Sequence, residues 1–377
     1  MERRVLMLLV VSLAVLLRFA LAYDVTDKFS VDATLSGVYQ RVSLSDQEAQ
    51  SLGVGDSVGR GSGTMDLGFN FHPTEKDEFQ VTLSFGAGDG LKYTPIFSLA
   101  TNADDLESDL KDINGRDRDY LLEAWYKHTF ELGEDLSLSG TVGLIDATAY
   151  LDQNTYANDE TAQFMNEVFV NNPVLNLPSY DLGGILELSL KDFSIKGLFI
   201  GSKTEDWEVQ DAFRGYGYYG LELSHKLKDP FGEGNISLIG YTTTKDFVDW
   251  DGFKGEALKG YGLSFDHSIK EHFGVFVRVG WQDDKAAITH QKCYSGGIDI
   301  SGKLWGREDD NIGLGYAYLK GPSQGDLKST HAIEGYVKFK TTNFSYLTFD
   351  VQYVKDRFND NTKLDGTIYG VRFVVNF

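Results

Sequence analysis

Apolar and polar residues alternate with a period of two through much of the chain. Phe79, Val81, Leu83 and Phe85 are interleaved with Gln80, Thr82 and Ser84, and Leu347, Phe349, Val351 and Tyr353 with Thr348, Asp350 and Gln352. Successive side chains of a strand point to opposite faces, so each such segment is a strand with one apolar and one polar face. The pattern predicts sixteen strands, near residues 28–40, 63–72, 78–86, 119–131, 136–148, 182–191, 193–203, 215–227, 235–244, 259–269, 273–282, 294–305, 311–320, 331–340, 345–355 and 366–377. Their connections alternate between short turns, such as Gly133-Glu134-Asp135 and Lys270-Glu271-His272, and longer loops, such as 41–62, 87–118, 149–181 and 204–214. An even strand count with short turns on one rim and long loops on the other is the organisation of outer-membrane barrels. The expected fold class is therefore all-β: a transmembrane antiparallel β-barrel of about 16 strands, spanning residues 23–377 as one unit. Tyr and Phe near strand ends (Phe69, Phe71, Phe79, Phe85, Tyr120, Phe130, Phe339, Tyr369, Phe377) fit interface girdles. A soluble all-β sandwich also alternates, but it does not require this loop rhythm.

Residues 1–22 read differently. Arg3 and Arg4 precede an apolar run from Val5 to Leu17 and then Ala20-Leu21-Ala22, the layout of a secretory signal peptide. Export followed by a barrel places the protein in a bacterial outer membrane. The 41 Gly, 20 Tyr and 25 Phe against 6 Pro suit many strands joined by turns. The lone Cys293 rules out an internal disulfide. A formal net charge of −21 argues against nucleic-acid binding, which needs basic patches to displace counterions.

With apolar faces toward lipid, the polar faces line the lumen, and sixteen strands leave room for an aqueous channel. Glu123, Lys127, Arg278, Lys303, Glu334, Asp350 and Arg372 are among the charges placed there. Arg278 and Arg372 are expected to face Glu334 and Asp350 across the lumen as a transverse field; salt bridging within the wall is the alternative. The 149–181 loop is too long for a passive connection and is the candidate constriction, folded inward. Phe164, Val168 and Phe169 have helical spacing, which predicts a short helix over Glu160–Val170 with Asn158 or Asp159 as its N-cap. Asp152, Asn154, Asn158, Asp159, Gln163, Asn166, Asn171 and Asn172 offer carboxylates and amides, and Trp125 and Tyr156 flat faces, the groups that recognise sugars. Those polar groups serve equally well to cap the loop's turns.

Several blocks resemble the carbohydrate-selective, OprB-like porin family, from about residue 119 to the C-terminus. The longest begins Gly143-Leu144-Ile145-Asp146-Ala147-Thr148 and continues through Asp152-Gln153-Asn154-Thr155-Tyr156-Ala157-Asn158-Asp159 to Phe169-Val170-Asn171-Asn172-Pro173. Gly280-Trp281-Gln282-Asp283, Gly313-Leu314-Gly315-Tyr316-Ala317-Tyr318, Glu334-Gly335-Tyr336 and Asp350-Val351-Gln352-Tyr353 follow in family order. The resemblance implies a sixteen-stranded porin with inward loops that admits sugars and similar small solutes by passive diffusion. It also implies that Phe377 is the terminal aromatic read by the barrel-insertion machinery. The acidic 87–118 loop lies outside the matching blocks and reads as particular to this branch.

The expected function is selective diffusion of small hydrophilic solutes, most simply carbohydrates. The alternatives are a general pore of mild cation preference and, less favoured, a barrel enzyme or adhesin. No HExxH or GxSxG pattern supports catalysis, and no cofactor or metal is expected. His290 with Cys293 falls short of a zinc site, and Asp112, Asn114, Asp117 and Asp119 are a loose calcium set without the required turn glycine. Gly53-x-Gly55 has no βαβ context and reads as a flexible loop. Expected partners are outer-membrane lipid and lipopolysaccharide; the strand pattern is as compatible with a homotrimer as with a monomer.

Overall fold

Residues 23–45, 57–94, 97–115, 120–202 and 215–377 are described by a computed structural model of the chain. Residues 1–22, read above as a signal peptide, the Gly53-x-Gly55 segment, Asp117 and Asp119 of the loose calcium set and the 204–214 loop fall outside these residues. The strands of the barrel are β1 Phe29–Leu44, β2 Ser57–Thr74, β3 Asp77–Ala87, β4 Leu121–Gly133, β5 Leu136–Ile145, β6 Asp181–Leu190, β7 Phe193–Ser202 and β8 Tyr216–Asp229. They continue as β9 Gly232–Thr243, β10 Lys259–Ile269, β11 Phe273–Gln282, β12 Lys292–Ser301, β13 Asn311–Lys320, β14 Leu327–Thr342, β15 Ser345–Phe358 and β16 Lys363–Asn376. All sixteen predicted segments are strands, each paired antiparallel with its sequence neighbours. Closure comes from β16 against β1, in register from Gly366↔Leu44 to Asn376↔Thr34. A short strand, Tyr23–Thr26, folds back on the start of β1.

No helix among the described residues is long and apolar enough to cross a membrane. In hydrocarbon an unpaired edge costs several kcal/mol per group, and only a closed sheet has no edge. The strands run from 10 to 18 residues, enough for a tilted span.

Exposed large apolar side chains lie on the outward faces, as at Leu186, Leu221, Leu238, Leu314 and Val351. The aromatic girdles differ in composition. Phe71, Phe79, Phe130, Phe193, Phe273, Phe349 and Phe373 stand exposed near the short-turn rim, and Tyr39, Tyr219, Tyr261, Tyr294, Tyr316 and Tyr369 toward the long-loop rim. The phenol keeps its hydroxyl in the wet layer while its ring remains apolar. Tyr120 is not a girdle residue of this kind: it is half-buried at φ 65° before β4, its ring stacked on Phe85 at 5.0 Å.

Two strands end earlier than alternation suggests. Asp146 accepts a hydrogen bond from the Thr148 N–H and starts a 3-10 turn at Ala147–Ala149, so β5 stops at Ile145. Ser301 likewise caps the turn Gly302–Trp305, so Lys303 leaves the lumen face and pairs with Glu271 at 2.9 Å on the rim. Capping oxygens satisfy helical-turn N–H groups locally, which outcompetes strand continuation.

Leu238, exposed midway along β9, tests which face meets lipid. Leu238→Arg should destabilise the barrel by about 2–4 kcal/mol in urea titrations from phospholipid vesicles. A change within a few tenths of a kcal/mol would mean this face is not in hydrocarbon.

Candidate functional site

The interior is occupied by two loops. The longer, residues 146–180 between β5 and β6, turns into the barrel and carries the helix α2, Glu167–Val170. Phe164, Val168, Phe169 and Val174 of this loop are buried with Phe276, Ala317, Ala332 and Tyr336 from the wall. Leu151 and Leu175 pack with Leu198, Tyr218, Ile239 and Tyr241. Apolar burial of this kind, at about 25 cal/mol per Å2, docks the loop against the inner wall.

Close docking requires missing side chains on the wall. A Cβ at Gly280 would stand 2.6 Å from Asn172 Nδ2, with Val174 nearer still, and one at Gly315 would stand 2.7 Å from the Phe169 ring. These two inward-facing glycines are seats for the loop.

Buried cations of the wall then grip the loop. Arg278 of β11 is fully buried; it donates to the carbonyls of Phe169 (2.8 Å) and Asp152 (2.9 Å) and to Asn158 Oδ1 (3.2 Å). Its Nε lies 3.1 Å from Asp152 Oδ2, in an ion pair with no exposure on either side. Burial raises the Asp152 carboxyl above the ordinary range, against the opposing pull of Arg278. Arg372 of β16, also buried, donates to the carbonyls of Glu160 (2.5 Å) and Gln163 (2.8 Å). Glu334 of β14 accepts from the Met165 and Asn166 N–H groups at 2.5 and 3.0 Å.

The expected transverse field takes a different form. Glu334 and Asp350 lie on β14 and β15, beside the β16 strand of Arg372, so these three share one patch of wall rather than facing each other across the lumen. Asp350 is buried and accepts from Gln352 at 3.0 Å. Arg278 pairs with the loop's own Asp152. A guanidinium with five fixed donors suits exposed carbonyls at a turn better than one distant carboxylate.

The loop's amides are engaged as well. Asn166, rather than Asn158 or Asp159, is the N-cap of α2: it accepts from the Val168 N–H at 3.2 Å and donates to Gln352 at 3.1 Å. Asp159 instead accepts from the Thr161 and Ala162 N–H groups, both at 2.8 Å, in an isolated turn. The predicted helix over Glu160–Val170 thus shrinks to its last turn, because Glu334 takes the Met165 and Asn166 N–H groups that a helix would use. Gln163 Oε1 accepts from the Asn158 and Asp159 N–H groups at 2.7 and 3.1 Å. Asn154 donates to Ser264 and to the Phe265 carbonyl, each at 3.2 Å. Asn172 accepts from the Val174 N–H at 3.4 Å, and its own N–H donates to Asp152 at 2.8 Å. Asn171 closes α2 through its N–H to Glu167 at 3.0 Å. Tyr156 is half-buried against the Phe276 cluster, and Trp125 against the Leu151 cluster.

The wall contacts of this loop described above lie mainly on β7 to β16. On the wall of β2 to β4 the inward Glu123 and Lys127 are half-exposed, Glu123 accepting from Thr82 at 3.4 Å.

The acidic loop before β4, which lies outside the blocks that resemble the family, is the second insertion. Gln40 of β1 and Gln352 of β15 both donate to the Thr101 carbonyl, at 2.7 and 2.8 Å. Thr64 of β2 donates to Asp104 at 3.0 Å, and Ala103 donates to the Met165 carbonyl at 2.8 Å. Its helix α1, Glu107–Lys111, buries Leu110 beside Ile113 and Leu122. Between the two loops lies a cavity of about 700 Å3 whose lining includes Asp104, Asp105, Asp109, Asp146, Glu160 and Glu167, with Lys92 the single basic group. None of these belongs to a barrel strand. Burial raises Asp104 to about 6, Asp105 to about 8 and Glu167 to about 7, and neighbouring carboxylates push the first two in the same direction. A second recess, about 350 Å3, lies under the long loop between Gln153–Thr155 and Glu187, Lys196, Glu222, Asn235 and Asp266 of the wall.

Neither cavity has the make-up of a catalytic or metal centre. Among the described residues no three His, Cys, Asp or Glu are grouped to hold a metal. Ser98, His290 and Asp356 do meet, but Ser98 donates to Asp356 itself at 2.6 Å, so the carboxylate does not orient the imidazole. Burial lowers His290 to about 4. This network ties Ser98 to Thr330 of the wall, at 2.7 Å. Cys293 is buried and free, and packs in the apolar cluster with Leu99 and Leu319.

Arg278→Met should leave Asp152 buried without its cation, a change worth about 3–5 kcal/mol at the loop's anchor. Single-channel conductance should rise and become noisier, with far-UV circular dichroism unchanged. Gly280→Val, which drives a side chain into Val174, should do the same, whereas Gly240→Ala, with open space around it, should not. Conductance equal to wild type in both site variants would remove the loop from the constriction.

Comparison with known proteins bears on the same architecture. Residues 62–377 match the family model described as carbohydrate-selective porin, OprB family. An uncharacterised protein of Aquifex aeolicus is 32% identical over 262 residues, covering 69% of this chain and 72% of that one. The high-pH structure of Pseudomonas putida OprB superposes with a TM-score of 0.73 at 14% identity, over 93% of this chain and 94% of the other. OmpT of Vibrio cholerae, an outer-membrane protein, gives a TM-score of 0.53 at 10% identity over 93% and 98%. At such identities these likenesses concern the fold alone. The match over most of the barrel, with sixteen strands and inward loops, assigns the chain to the OprB family of carbohydrate-selective outer-membrane porins.

Proposed function

We propose that the pore passes small hydrophilic solutes passively and selects carbohydrates among them. The observation that carries this reading is the recess under the long loop, where Asn154, Glu187, Lys196, Glu222, Asn235 and Asp266 mix amides, carboxylates and an ammonium around about 350 Å3. Sugars present hydroxyl donors and acceptors on most of their carbons, and clusters of oriented polar groups in a cleft of roughly 300–1,000 Å3 are how small polar ligands are held. Lys196 donates to the Tyr150 carbonyl at 2.7 Å and to Glu222 at 3.1 Å, so the recess is braced before a solute arrives. Glu123, Trp125 and Lys127 complete the passage on the wall of β4.

In planar bilayers, millimolar monosaccharide or disaccharide should reduce the ion current saturably, and Asn235→Leu should weaken that block several-fold. Ohmic current unaffected by any sugar would overturn the selective reading.

A mild cation preference is favoured by a separate observation, the acid-lined cavity between the loops. A carboxylate is charged above its pKa, so the values near 6 to 8 place the change in charge around neutrality. Cation preference, read from reversal potentials in a salt gradient, should rise from pH 5 to pH 9, and Asp105→Asn should flatten the upper part of that curve. A pH-independent reversal potential would remove this cavity from the ion path.

A further inference from the structure

Strand register orders the outward residues of β12 to β16 into rows across the wall. Toward the long-loop rim one row reads Tyr294, Tyr318, His331, Lys355 and Asp365. The next, nearest the rim, reads Lys292, Lys320, Ser329, Arg357 and Lys363. Lys292 stands directly opposite Lys320, and Arg357 opposite Lys363. Like charges directly across a strand pair destabilise the sheet.

In a chain of net charge −21 carboxylates are plentiful, yet these two rows contain one. Asp365 lies 2.6 Å from Lys363 and 4.0 Å from Lys355. Lys292, Lys320 and Arg357 form no ion pair among the described residues, and the Asp284 carboxylate near Lys320 accepts instead from Ser323, at 2.9 and 2.7 Å. Elsewhere on this rim Lys259 has its own partner, Asp283, at 3.1 Å. The cationic arc is therefore local, and among the described residues no carboxylate pairs with Lys292, Lys320 or Arg357.

Its height identifies what compensates it. Tyr294 and Tyr316 mark the membrane interface, and the cationic row stands two residues beyond Tyr294, about 6–7 Å further out. That depth is the headgroup layer of the leaflet on the long-loop side. Strands about 4.8 Å apart put Lys320 roughly 10 Å and Lys292 roughly 14 Å from Arg357, with the small, buried Ser329 between Lys320 and Arg357. We propose that this arc binds the headgroup of an outer-leaflet glycolipid bearing two phosphates, one at Lys292 and Lys320 and one at Arg357. Lys and Arg bind phosphate oxygens through charge-assisted hydrogen bonds, and the tyrosine row below packs on the acyl chains. The proposal rests on the outer-membrane placement and is independent of what crosses the pore.

The test uses the full chain in dodecyl maltoside with fluorescent diphosphoryl lipid A as probe. Saturable binding is expected, at least ten-fold weaker in Lys320→Glu/Arg357→Glu, weaker for monophosphoryl lipid A, and not displaced by 10 mM inorganic phosphate, a concentration about 10⁴ times a micromolar Kd. Lys292→Gln/Lys320→Gln, a milder change, should lose a similar fraction, and heat-dependent gel mobility establishes that each variant is a closed barrel. Equal binding by wild type and both double variants overturns the proposal, as does displacement by inorganic phosphate, which would make the arc a free-anion site. Channel conductance, measured on the same variants, should not move; a chain that binds lipid A but conducts nothing would fail as a porin and leave this site intact.

Discussion

In the hydrocarbon of a membrane, a backbone N–H or C=O without a partner costs several kcal/mol, and everything else in this protein follows from meeting that requirement with strands. A sheet meets it only when its last strand bonds to its first, as β16 does to β1. Closure at sixteen strands then sets a perimeter too wide for side chains to fill, in contrast to eight-stranded barrels whose interiors pack solid. The lumen must be partitioned by something other than the wall, and here two loops do it.

How the loops are held reflects the dielectric they enter. Away from bulk water a loop's carbonyls and N–H groups need partners, and the wall provides them: Arg278 and Arg372 for carbonyls, Glu334 for N–H groups, Gln40 and Gln352 for the Thr101 carbonyl. Charged side chains that read as pore lining are thus turned to structural use on the β11 to β16 side. The acidic groups left half-exposed or bordering a cavity are Glu123 of β4 and the carboxylates between the loops.

The strands were legible because a two-residue period survives any loop arrangement, and all sixteen appear, most within a few residues of their expected limits, with β2 starting six residues early at Ser57. The misjudged ends, at Ile145 and Ser301, are places where one capping oxygen outweighs the period. The long loop could be located by its length and its Asn-rich block, but not the partners of its side chains, since Arg278 and Asp152 are 126 residues apart in contact terms that only the closed barrel defines. The insertion of the acidic loop was not legible, because Phe97, Leu99, Leu106, Leu110 and Ile113 follow neither a helical nor a strand period, although each is buried. Within it, a scatter of large apolar residues among acids was the one signal of insertion.

The glycine seats at 280 and 315 bind two parts of the chain into one inheritance. A larger residue at Gly280 needs a smaller one at Val174, and Gly315 stands in the same relation to Phe169. Strand and loop therefore cannot drift separately: a graft of the constriction segment from one relative into another's barrel would carry knobs without their sockets. Relatives of this chain that differ in solute preference should differ in matched sets, wall and loop together, and a pore redesigned by its loop alone would be only half rewritten.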